Sequence, residues 1–338
     1  LIACKFGATS MTDYIIGVDL GGTNIKAGLV DREGRIHRRF STKTNSSADP
    51  QTISNQIFGL IEEVVDSLRQ GKTDAGLSPS AVNILGVGLG SPGLIDKKGE
   101  TILFSPNLPQ WRDIPIKRMV TERFKVPCVL ENDANAAAWG EKWAGVGKDA
   151  NSLVMLTLGT GIGGGIVINN TLWRGVNNVA AEIGHMVIQI NGAKCSCGNN
   201  GCIEAYSSAT SMVRRFKEAL KNGETSLLQG VDEITAKMIN DAALKGDRAS
   251  VDIIRETGRY LGVALVNIMH ILNPEIIVLA GGMIGSGDLL MNPIKETVKL
   301  KAFEASRKDT HILFSLLGND AGIIGAAGCL LNTLETSA

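Results

Sequence analysis

The chain has 338 residues and a formal net charge of zero, with 34 Lys and Arg against 34 Asp and Glu. Its hydrophobic content of 44% and charged content of 20% are those of a folded globular protein and argue against a disordered one. A neutral charge also argues against nucleic acid as the main partner, because binding to a phosphate backbone needs clustered Lys and Arg. The length suits two domains better than one core.

The sequence also bears on where the protein works. No apolar run is long enough to span a bilayer, and residues 1–11 lack the charged start and long apolar stretch of a secretory signal. We interpret these residues as an upstream extension or an expression remnant. Three of the six cysteines cluster and the others are scattered, which is typical of a metal site plus free thiols in a reducing compartment. We expect a cytoplasmic protein without a membrane partner.

The first part of the chain alternates short apolar runs with helical stretches. Residues 14–19 form a β-branched run that stops at Gly21 and Gly22, and residues 27–31 form a second run, so the pair predicts a hairpin. The patterns that follow predict, in chain order, a helix over 51–68, a strand over 83–89, a turn at 90–93, a strand over 126–130 and a helix over 134–144.

The hairpin pattern recurs in residues 152–170. An ungapped alignment of the two segments places Asp19 opposite Thr157 and Gly21 opposite Gly159. A repeat of this kind predicts two related half-domains, each giving one hairpin to a shared site. The alternative is a chance similarity between two glycine-rich hairpins.

The rest of the chain continues the alternation. A long helix is predicted over 248–272, where Asn273 and Pro274 stop it, and a strand over 275–279 runs into Gly281 and Gly282. A strand over 312–316 and a closing helix over 321–334 complete the pattern. Strands and helices that alternate throughout a chain are typical of the α/β class.

The glycine turns are the first candidate binding sites in the sequence. Residues 159–164 match the dinucleotide fingerprint, with Glu182 at a suitable distance, but a β-branched run follows where that fold needs a helix. The P-loop pattern is absent as well. A glycine-rich hairpin can still hold phosphate through successive N–H groups, and the first one carries an acid, Asp19, a hydroxyl, Thr23, and a cation, Lys26.

These segments resemble motifs of the hexokinase, Hsp70 and actin superfamily. Residues 19–26 resemble its first phosphate motif, 159–165 its second and 279–282 its adenosine motif. The resemblance implies a two-domain α/β fold of the ribonuclease H-like, actin-like ATPase type, with ATP in the inter-domain cleft and Asp19 holding the phosphate-bound Mg²⁺. The implied nucleotide site also includes Gly21, Gly22, Thr23, Asn24, Lys26, Gly159, Thr160, Gly161, Gly281 and Gly282. We expect a smaller domain over 12–131 completed by 319–338, and a larger one over 132–318.

Asp133 is the candidate catalytic base. It follows a predicted strand, at the end where α/β clefts open, and precedes a predicted helix. A sugar kinase needs a carboxylate that accepts the proton of the attacking hydroxyl. The alternative is that Asp133 only caps the helix, and the two roles are compatible.

The most specific pattern is a group of four candidate metal ligands, His185, Cys195, Cys197 and Cys202. One His and three Cys make a complete tetrahedral zinc set with no open position, so the zinc is expected to be structural. Cys195 and Cys197 are too close in sequence to form a comfortable disulfide. The alternative is a set of incidental thiols beside a structural histidine.

Together these motifs resemble the ROK family (repressors, open reading frames and kinases), and among its enzymes the bacterial glucokinases. The resemblance extends over residues 14 to about 334. It implies that the zinc positions the loop bearing Glu204 and that His185 binds zinc through one ring nitrogen and a sugar hydroxyl through the other. The side chains implied to surround the sugar are Asn107, Asn132, Asp133, Glu182, His185 and Glu204.

Several alternatives remain within the family. Its sugar-responsive repressors carry a helix-turn-helix region before the first phosphate motif, and the short segment before residue 14 makes us expect a kinase instead. Glucose is the favoured substrate, but N-acetylmannosamine, N-acetylglucosamine and allose suit the same residues, and polyphosphate is an alternative donor. By the same resemblance we expect a homodimer or homotetramer.

Overall fold

The computed structural model describes residues 11–69 and 82–336, and the following elements are confined to them. Cys4 and most of the proposed N-terminal extension lie outside these ranges. The first part of the chain consists of β1 (Thr12–Leu20), β2 (Asn24–Asp31), β3 (Ile36–Lys43), α1 (Pro50–Arg69), β4 (Val82–Ser91), β5 (Leu94–Ile95), β6 (Ile102–Phe104), β7 (Arg112–Ile114), α2 (Ile116–Phe124), β8 (Cys128–Asn132) and α3 (Asp133–Ala144).

The second part begins at another strand. It consists of β9 (Leu153–Leu158), β10 (Ile162–Ile168), β11 (Thr171–Leu172), α4 (Glu204–Ser207), α5 (Ala209–Lys221), α6 (Ala236–Leu244), α7 (Arg248–Leu272), β12 (Ile276–Ala280), α8 (Asp288–Lys301), α9 (Glu304–Arg307), β13 (His311–Phe314) and α10 (Ala321–Thr336), with short 3₁₀ turns at 183–185, 282–286 and 318–320. None of the helices in the described ranges combines the length and the apolar character that a membrane span requires.

Two five-stranded sheets form the framework, and they share one plan. The first has the order β3-β2-β1-β4-β8 and the second β11-β10-β9-β12-β13. In each, three antiparallel strands are extended by two parallel ones. The predicted structural repeat is therefore confirmed at the level of whole sheets. A smaller antiparallel sheet, β5-β6-β7, lies between β4 and α2 in the chain.

The two hairpins differ in turn length. Leu20 pairs with Ile25 across the first turn, and Leu158 pairs with Ile162 across the second. The first turn thus has four residues and the second three, so the ungapped alignment is correct for the first strand of each hairpin and wrong by one residue after the turn.

Two helices join the halves of the fold. Helix α10 packs on β1, β4 and β8 of the first sheet, α3 packs on β9 and β10 of the second, and the two helices pack closely on each other. Small residues make this crossing possible, because a Cβ at Gly325 of α10 would collide with the carbonyl oxygen of Ala136 in α3. The site residues that follow β8 therefore begin the helix that lies between the sheets.

Separate apolar cores lie on the two sheets. Ile16, Val18 and Leu29 pack against Ile57 and Ile61 of α1 in the first core. In the second, Leu156 and Leu279 of neighbouring strands pack with α7, whose Ile254, Leu261 and Leu265 recur at helical spacing and are fully buried. The burial of these faces fixes the sheets that carry the two glycine hairpins.

Most predicted elements are confirmed to within a few residues, including α7 at both of its ends. Strand β3 and the small sheet were missed. Strand β3 has the sequence IHRRFSTK, and none of its residues is fully buried. It therefore lacks the apolar run by which a central strand is predicted from sequence. The predicted strand over 312–316 ends earlier, at Phe314.

Candidate active site

The carboxyl ends of three parallel strands meet at one edge of the first sheet. In the strand register Asp19 of β1 lies beside Gly90 of β4, and Ser91 of β4 lies beside Asn132 of β8. Asp133 follows Asn132 directly. The edge thus brings Asp19 and Asp133, which are far apart in the chain, into the same electrostatic environment.

Asn132, and not Asp133, caps the helix. The Asn132 side chain accepts hydrogen bonds from the backbone N–H groups of Ala134 (3.0 Å) and Asn135 (3.2 Å), as an N-cap does. Asp133 is the first helical residue, and its Oδ1 accepts from the N–H of Ala134 at 2.9 Å. The capping role that was considered for Asp133 therefore belongs to its neighbour, which leaves the Asp133 carboxylate available for chemistry.

The environment of Asp133 favours its neutral form. Burial raises the pKa of this carboxyl to about 6, and the charges of Asp19 and then Glu182 add to the effect, against hydrogen bonds from backbone N–H groups. A carboxyl with a pKa near 6 is ionised at neutral pH and is a stronger base than an ordinary aspartate.

The first hairpin sits directly over this edge. The Gly21 N–H donates to the Asn24 carbonyl at 2.9 Å, and the Thr44 hydroxyl donates to the Gly21 carbonyl at 2.7 Å. Thr23 and Asn24 are exposed at the tip. A Cβ at Gly22 would lie 2.9 Å from Cβ of Asn107, so the absence of a side chain lets the β6–β7 connection approach the turn.

Asp19 lies beneath the hairpin beside a cation. Its Oδ2 is 3.8 Å from Nζ of Lys26, which also donates to the Asn319 carbonyl at 3.2 Å. Burial raises the pKa of Asp19, and Lys26 opposes that rise. A Cβ at Gly322 would lie 2.6 Å from Cγ of Asp19, so only glycine fits at the start of α10. A carboxylate is the kind of ligand that a divalent cation prefers, so the predicted Mg²⁺ role of Asp19 stays a prediction.

The second hairpin is braced from several directions. The Gly159 N–H donates to the Gly161 carbonyl at 3.0 Å, and the Ala209 N–H donates to the Gly159 carbonyl at 2.8 Å. The exposed Thr160 accepts at its carbonyl from the hydroxyl of Thr210 at 2.8 Å. The turn is held by the start of α5, so that its backbone is fixed before any ligand binds.

The third glycine motif adjoins the second hairpin. Ala280 of β12 pairs with Thr157 of β9, and Gly281 follows with a φ of 92°. A Cβ at Gly281 would collide with the Leu158 carbonyl oxygen, and Gly282 has open space around its Cα. Gly281 and Gly282 are both exposed beside the turn, where a flat ring could pack on backbone.

The four predicted metal ligands lie together. The ligand atoms of His185, Cys195, Cys197 and Cys202 are all within 4.8 Å of one another. The sulfur atoms of Cys197 and Cys202 are 3.8 Å apart, and Cys195 Sγ is 3.7 Å from His185 Nδ1. A tetrahedral zinc with Zn–S bonds of about 2.3 Å requires S–S separations of about 3.8 Å. The donor set and its spacing therefore fit Zn²⁺.

His185 also faces the acidic edge. Its Nδ1 points to the sulfur cluster, and its Nε2 is 4.0 Å from Oε2 of Glu182. Glu182 in turn contributes to the raised pKa of Asp133. The structure thus links Asp19, Asp133, Glu182 and His185 in one polar region, with Asn132 at its side.

The carboxylate of Glu204 contacts two different loops. Its Oε2 accepts a hydrogen bond from the Ile162 N–H at 2.8 Å, and its Oε1 accepts from the Ser196 hydroxyl at 2.9 Å. These contacts place Glu204 between the second hairpin and residues 195–202, which carry the three candidate cysteine ligands and which we call the metal loop. Each oxygen retains a lone pair that could still accept from a sugar hydroxyl.

Several residues of this region were not predicted from the sequence. Gly322 lies against Asp19, Ser196 holds Glu204, and Arg174 donates to Glu131 at 2.7 Å. Ser196 could have been singled out because it stands between two metal ligands. No sequence pattern marks Gly322 or Arg174 as a site residue, since the residues that they contact are distant in the chain.

Comparisons with known proteins agree with this geometry. A family model described as the ROK family matches residues 15–332. A glucokinase from Halalkalibacterium halodurans is 36% identical over 329 residues, 96% of this chain and 96% of that protein. The crystal structure of a ROK family glucokinase from Streptomyces griseus in complex with glucose and AMPPNP has a TM-score of 0.78 and 37% identity, covering 94% of this chain and 98% of that one. A xylose repressor from Bacillus spizizenii is 33% identical, over 94% of this chain and 77% of the repressor.

Proposed function

The chain belongs to the ROK family, and on that premise we propose that it is a kinase that transfers the terminal phosphoryl group of ATP to glucose, giving glucose 6-phosphate. The observation that carries the proposal is the position of Asp133. Its carboxyl lies beside the first phosphate hairpin and Asp19, and its pKa of about 6 leaves it ionised at neutral pH. A base of this kind is what phosphoryl transfer to a sugar hydroxyl requires.

Asp133 would accept the proton of the attacking sugar hydroxyl as the bond from the hydroxyl oxygen to the terminal phosphorus forms. The bond from that phosphorus to the bridging oxygen of ADP breaks, and ADP leaves with the electron pair. The phosphate hairpins would position the donor through Lys26 and through the backbone N–H groups of the turns at Gly22 and Gly161. The N–H groups of Gly21 and Gly159 would shape the turns, since they donate to the carbonyls of Asn24 and Gly161. Thr23, Asn24 and Thr160 line the same turns. A magnesium ion bound with the nucleotide would supply positive charge to the phosphate oxygens, and Asp19 is the residue that would hold it.

The sugar would lie between the acidic edge and the metal loop. Asn132, Glu182 and His185 offer the mixture of donors and acceptors that a polyhydroxylated ring needs, and Asn107 closes the side next to Gly22. Glu204 would meet the ring with the lone pairs that Ile162 and Ser196 leave free. Gly281 and Gly282 would receive the adenosine.

The His and Cys cluster would hold one structural Zn²⁺. All four ligands come from the protein, so the ion has no open position for substrate or water. Its chemistry would be to fix the loop and to set the tautomer of His185, which leaves Nε2 protonated and directed toward the sugar.

Glucose is favoured over other sugars by the relatives named glucokinase. The repressor alternative rests on the similarity to a xylose repressor. This chain has both glycine hairpins and Asp133, and a repressor that only senses sugar would not need a base beside a phosphate site. The kinase is therefore the better account.

Some further properties extend this proposal. The two halves, 12–131 with 319–338 and 132–318, would act as domains that close on the sugar and exclude water, which protects ATP from hydrolysis. The protein would work in the cytoplasm, at the entry of glucose into glycolysis, as a homodimer or homotetramer.

A coupled ADP-release assay tests the proposal. Mg-ATP would be offered with glucose, N-acetylmannosamine, N-acetylglucosamine, allose or fructose, and the products identified by mass spectrometry. Glucose is expected to give the highest kcat/KM, with a product phosphorylated at the 6-hydroxyl. Preference for another hexose would overturn the substrate assignment alone, whereas no ADP release with any sugar would overturn the kinase assignment.

A further inference from the structure

A buried carboxylate stands immediately before the catalytic segment. Glu131 is 5% exposed and is the next-to-last residue of β8, two residues ahead of Asp133. Its Oε1 accepts hydrogen bonds from the Asn132 N–H at 3.0 Å and from Nδ2 of Asn135 at 3.1 Å. Glu131 thus holds residues on both sides of Asp133, although it does not face the proposed sugar itself.

The charge of Glu131 is balanced by a residue from the other sheet. Nε of Arg174 donates to Oε2 of Glu131 at 2.7 Å. Arg174 follows β11, the edge strand of the second sheet, whereas Glu131 belongs to β8, the edge strand of the first. The pair is therefore a direct polar connection between the two halves of the fold.

Arg174 is the second residue of the loop that leads to the proposed sugar ligands. This loop, residues 173–182, ends at Glu182, three residues before His185. A second contact ties it to the first half, because Nδ2 of Asn178 donates to the Asp96 carbonyl at 2.8 Å. We call residues 173–182 the bridging loop. Its anchor at Arg174 fixes the start of the loop against the same carboxylate that holds Asn132.

Breaking this pair would leave an uncompensated charge in a buried place. A buried carboxylate needs its full set of donors, and the loss of one partner forces local rearrangement. Here the remaining donors are the N–H of Asn132 and the amide of Asn135, so the rearrangement would fall on the segment that carries Asp133.

We propose that Glu131 and Arg174 are positioning residues that couple the bridging loop to the catalytic base. Arg174 acts through Glu131, and Glu131 acts through Asn132 and Asn135. The position of Glu182 beside the sugar and the orientation of the Asp133 carboxylate are therefore coupled. This inference rests on the proposed kinase function. It predicts that the pair affects sugar binding and turnover but leaves the nucleotide site alone.

The test compares three single variants with the wild type. Arg174→Gln removes the charge, Arg174→Lys keeps the charge but loses the Nε geometry, and Arg32→Gln is a matched control. Arg32 pairs with Asp13 at 2.9 Å at the opposite end of β1 from Asp19. A double variant, Glu131→Gln with Arg174→Gln, leaves no buried charge should Arg174→Gln fail to fold.

Steady-state kinetics give the first measurement. Arg174→Gln and the double variant are expected to lower kcat by about tenfold and to raise the KM for sugar by a similar factor, since small misplacements of a reacting group have effects of this size. The KM for ATP should stay within about twofold, Arg174→Lys should recover part of kcat, and Arg32→Gln should match the wild type. Wild-type kinetics in both Arg174→Gln and the double variant would overturn the proposal.

Amide hydrogen exchange gives a measurement that does not depend on activity. Peptides covering 131–136 and 173–182 should lose protection in Arg174→Gln, by about fivefold or more, while peptides of α1 and α7 keep theirs. A loss shared by all peptides, or by none, would overturn the coupling. If the wild type phosphorylates none of the sugars, the kinase assignment fails and hydrogen exchange still decides whether the pair links the two segments.

Discussion

Glu204 accepts a hydrogen bond from the backbone N–H of Ile162 at 2.8 Å, at the point where the second glycine turn enters β10. Its other carboxylate oxygen accepts from the Ser196 hydroxyl at 2.9 Å, and Ser196 stands between Cys195 and Cys197, two of the proposed metal ligands. One side chain therefore connects the metal loop to the turn proposed to hold phosphate. We therefore expect the order of the metal loop to affect the proposed nucleotide site as well as the proposed sugar site.

Replacing Ser196 tests this connection. Ser196→Ala removes the hydroxyl that holds Glu204 and should raise the KM for ATP by about fivefold, in line with the loss of one charge-assisted hydrogen bond near the surface. The metal content should remain one per chain, because Ser196 is not a ligand. Steady-state kinetics and elemental analysis measure the two effects.

Ser226→Ala is the matched control, since the Ser226 hydroxyl donates to Asp247 at 2.8 Å at the start of α7. It should leave the KM for ATP unchanged. An equal rise in both variants, or a loss of metal in Ser196→Ala, would show that the hydrogen bond is not the cause.

The metal itself is tested through Cys197. Cys197 is exposed and Cys197→Ser changes little buried volume, but it removes one of the three thiolates, and so one of the four proposed ligands. We expect the zinc content to fall well below one per chain and the dissociation constant for sugar to rise by about tenfold or more. Elemental analysis and calorimetric titration with sugar measure both. Cys128→Ala, a buried thiol outside the cluster, should keep its zinc, and full zinc in Cys197→Ser would refute the ligand assignment.

The raised pKa of Asp133 predicts a pH profile. A general base works only when ionised, so kcat/KM for glucose at saturating Mg-ATP should fall as the pH decreases through about 6. The expected acid limb has a slope of one and lies well above the range of an ordinary aspartate. An acid limb near pH 4 with the same slope would mean that another group, or an unperturbed carboxyl, controls the reaction.

The same pKa predicts how stability depends on pH. The folded pKa of Asp133, about 6, lies above the usual value of 3.8, so the folded protein holds its proton over a range where the unfolded chain has lost it. The contribution of this residue to stability is therefore complete below about pH 4 and is lost as the pH rises through about 6. The Asp133→Asn variant has no carboxyl to ionise at this position, so it should not lose this stability as the pH rises.

Thermal unfolding of the two proteins checks that expectation. The Asp133→Asn variant should have the same melting temperature as the wild type at pH 4. At pH 7 its melting temperature should be higher than that of the wild type by about 2 °C or more. The side-chain oxygen of the neutral amide can still accept the hydrogen bond from the Ala134 N–H, so the substitution keeps this contact at the start of α3. A variant that melts lower at every pH would indicate that the carboxylate stabilises the fold.

The parts of the site that the sequence predicted are those whose residues are close in the chain. The turn at Gly21 and Gly22, and the spacing of Cys195, Cys197 and Cys202, are local patterns with a direct chemical meaning. The structure places them as expected. Local strand and turn rules were sufficient for both hairpins.

The parts that were missed depend on contacts between distant segments. Arg174 meets Glu131 across 43 positions of the chain, and Gly322 reaches Asp19 only because α10 returns to the first sheet. No periodicity or spacing predicts contacts between segments so far apart. The one-residue difference between the two turns is local instead, since Leu158 pairs with Ile162 in the second hairpin and Leu20 with Ile25 in the first.

The most direct test of the central claim is the turnover of Asp133→Asn with Mg-ATP and glucose, measured by ADP release beside glucose binding in the absence of nucleotide. The account predicts a fall in kcat of about a thousandfold, the contribution of a positioned base, with glucose affinity within about threefold of the wild type. Turnover near that of the wild type, in a folded variant that still binds glucose, would contradict the assignment of Asp133 as the base.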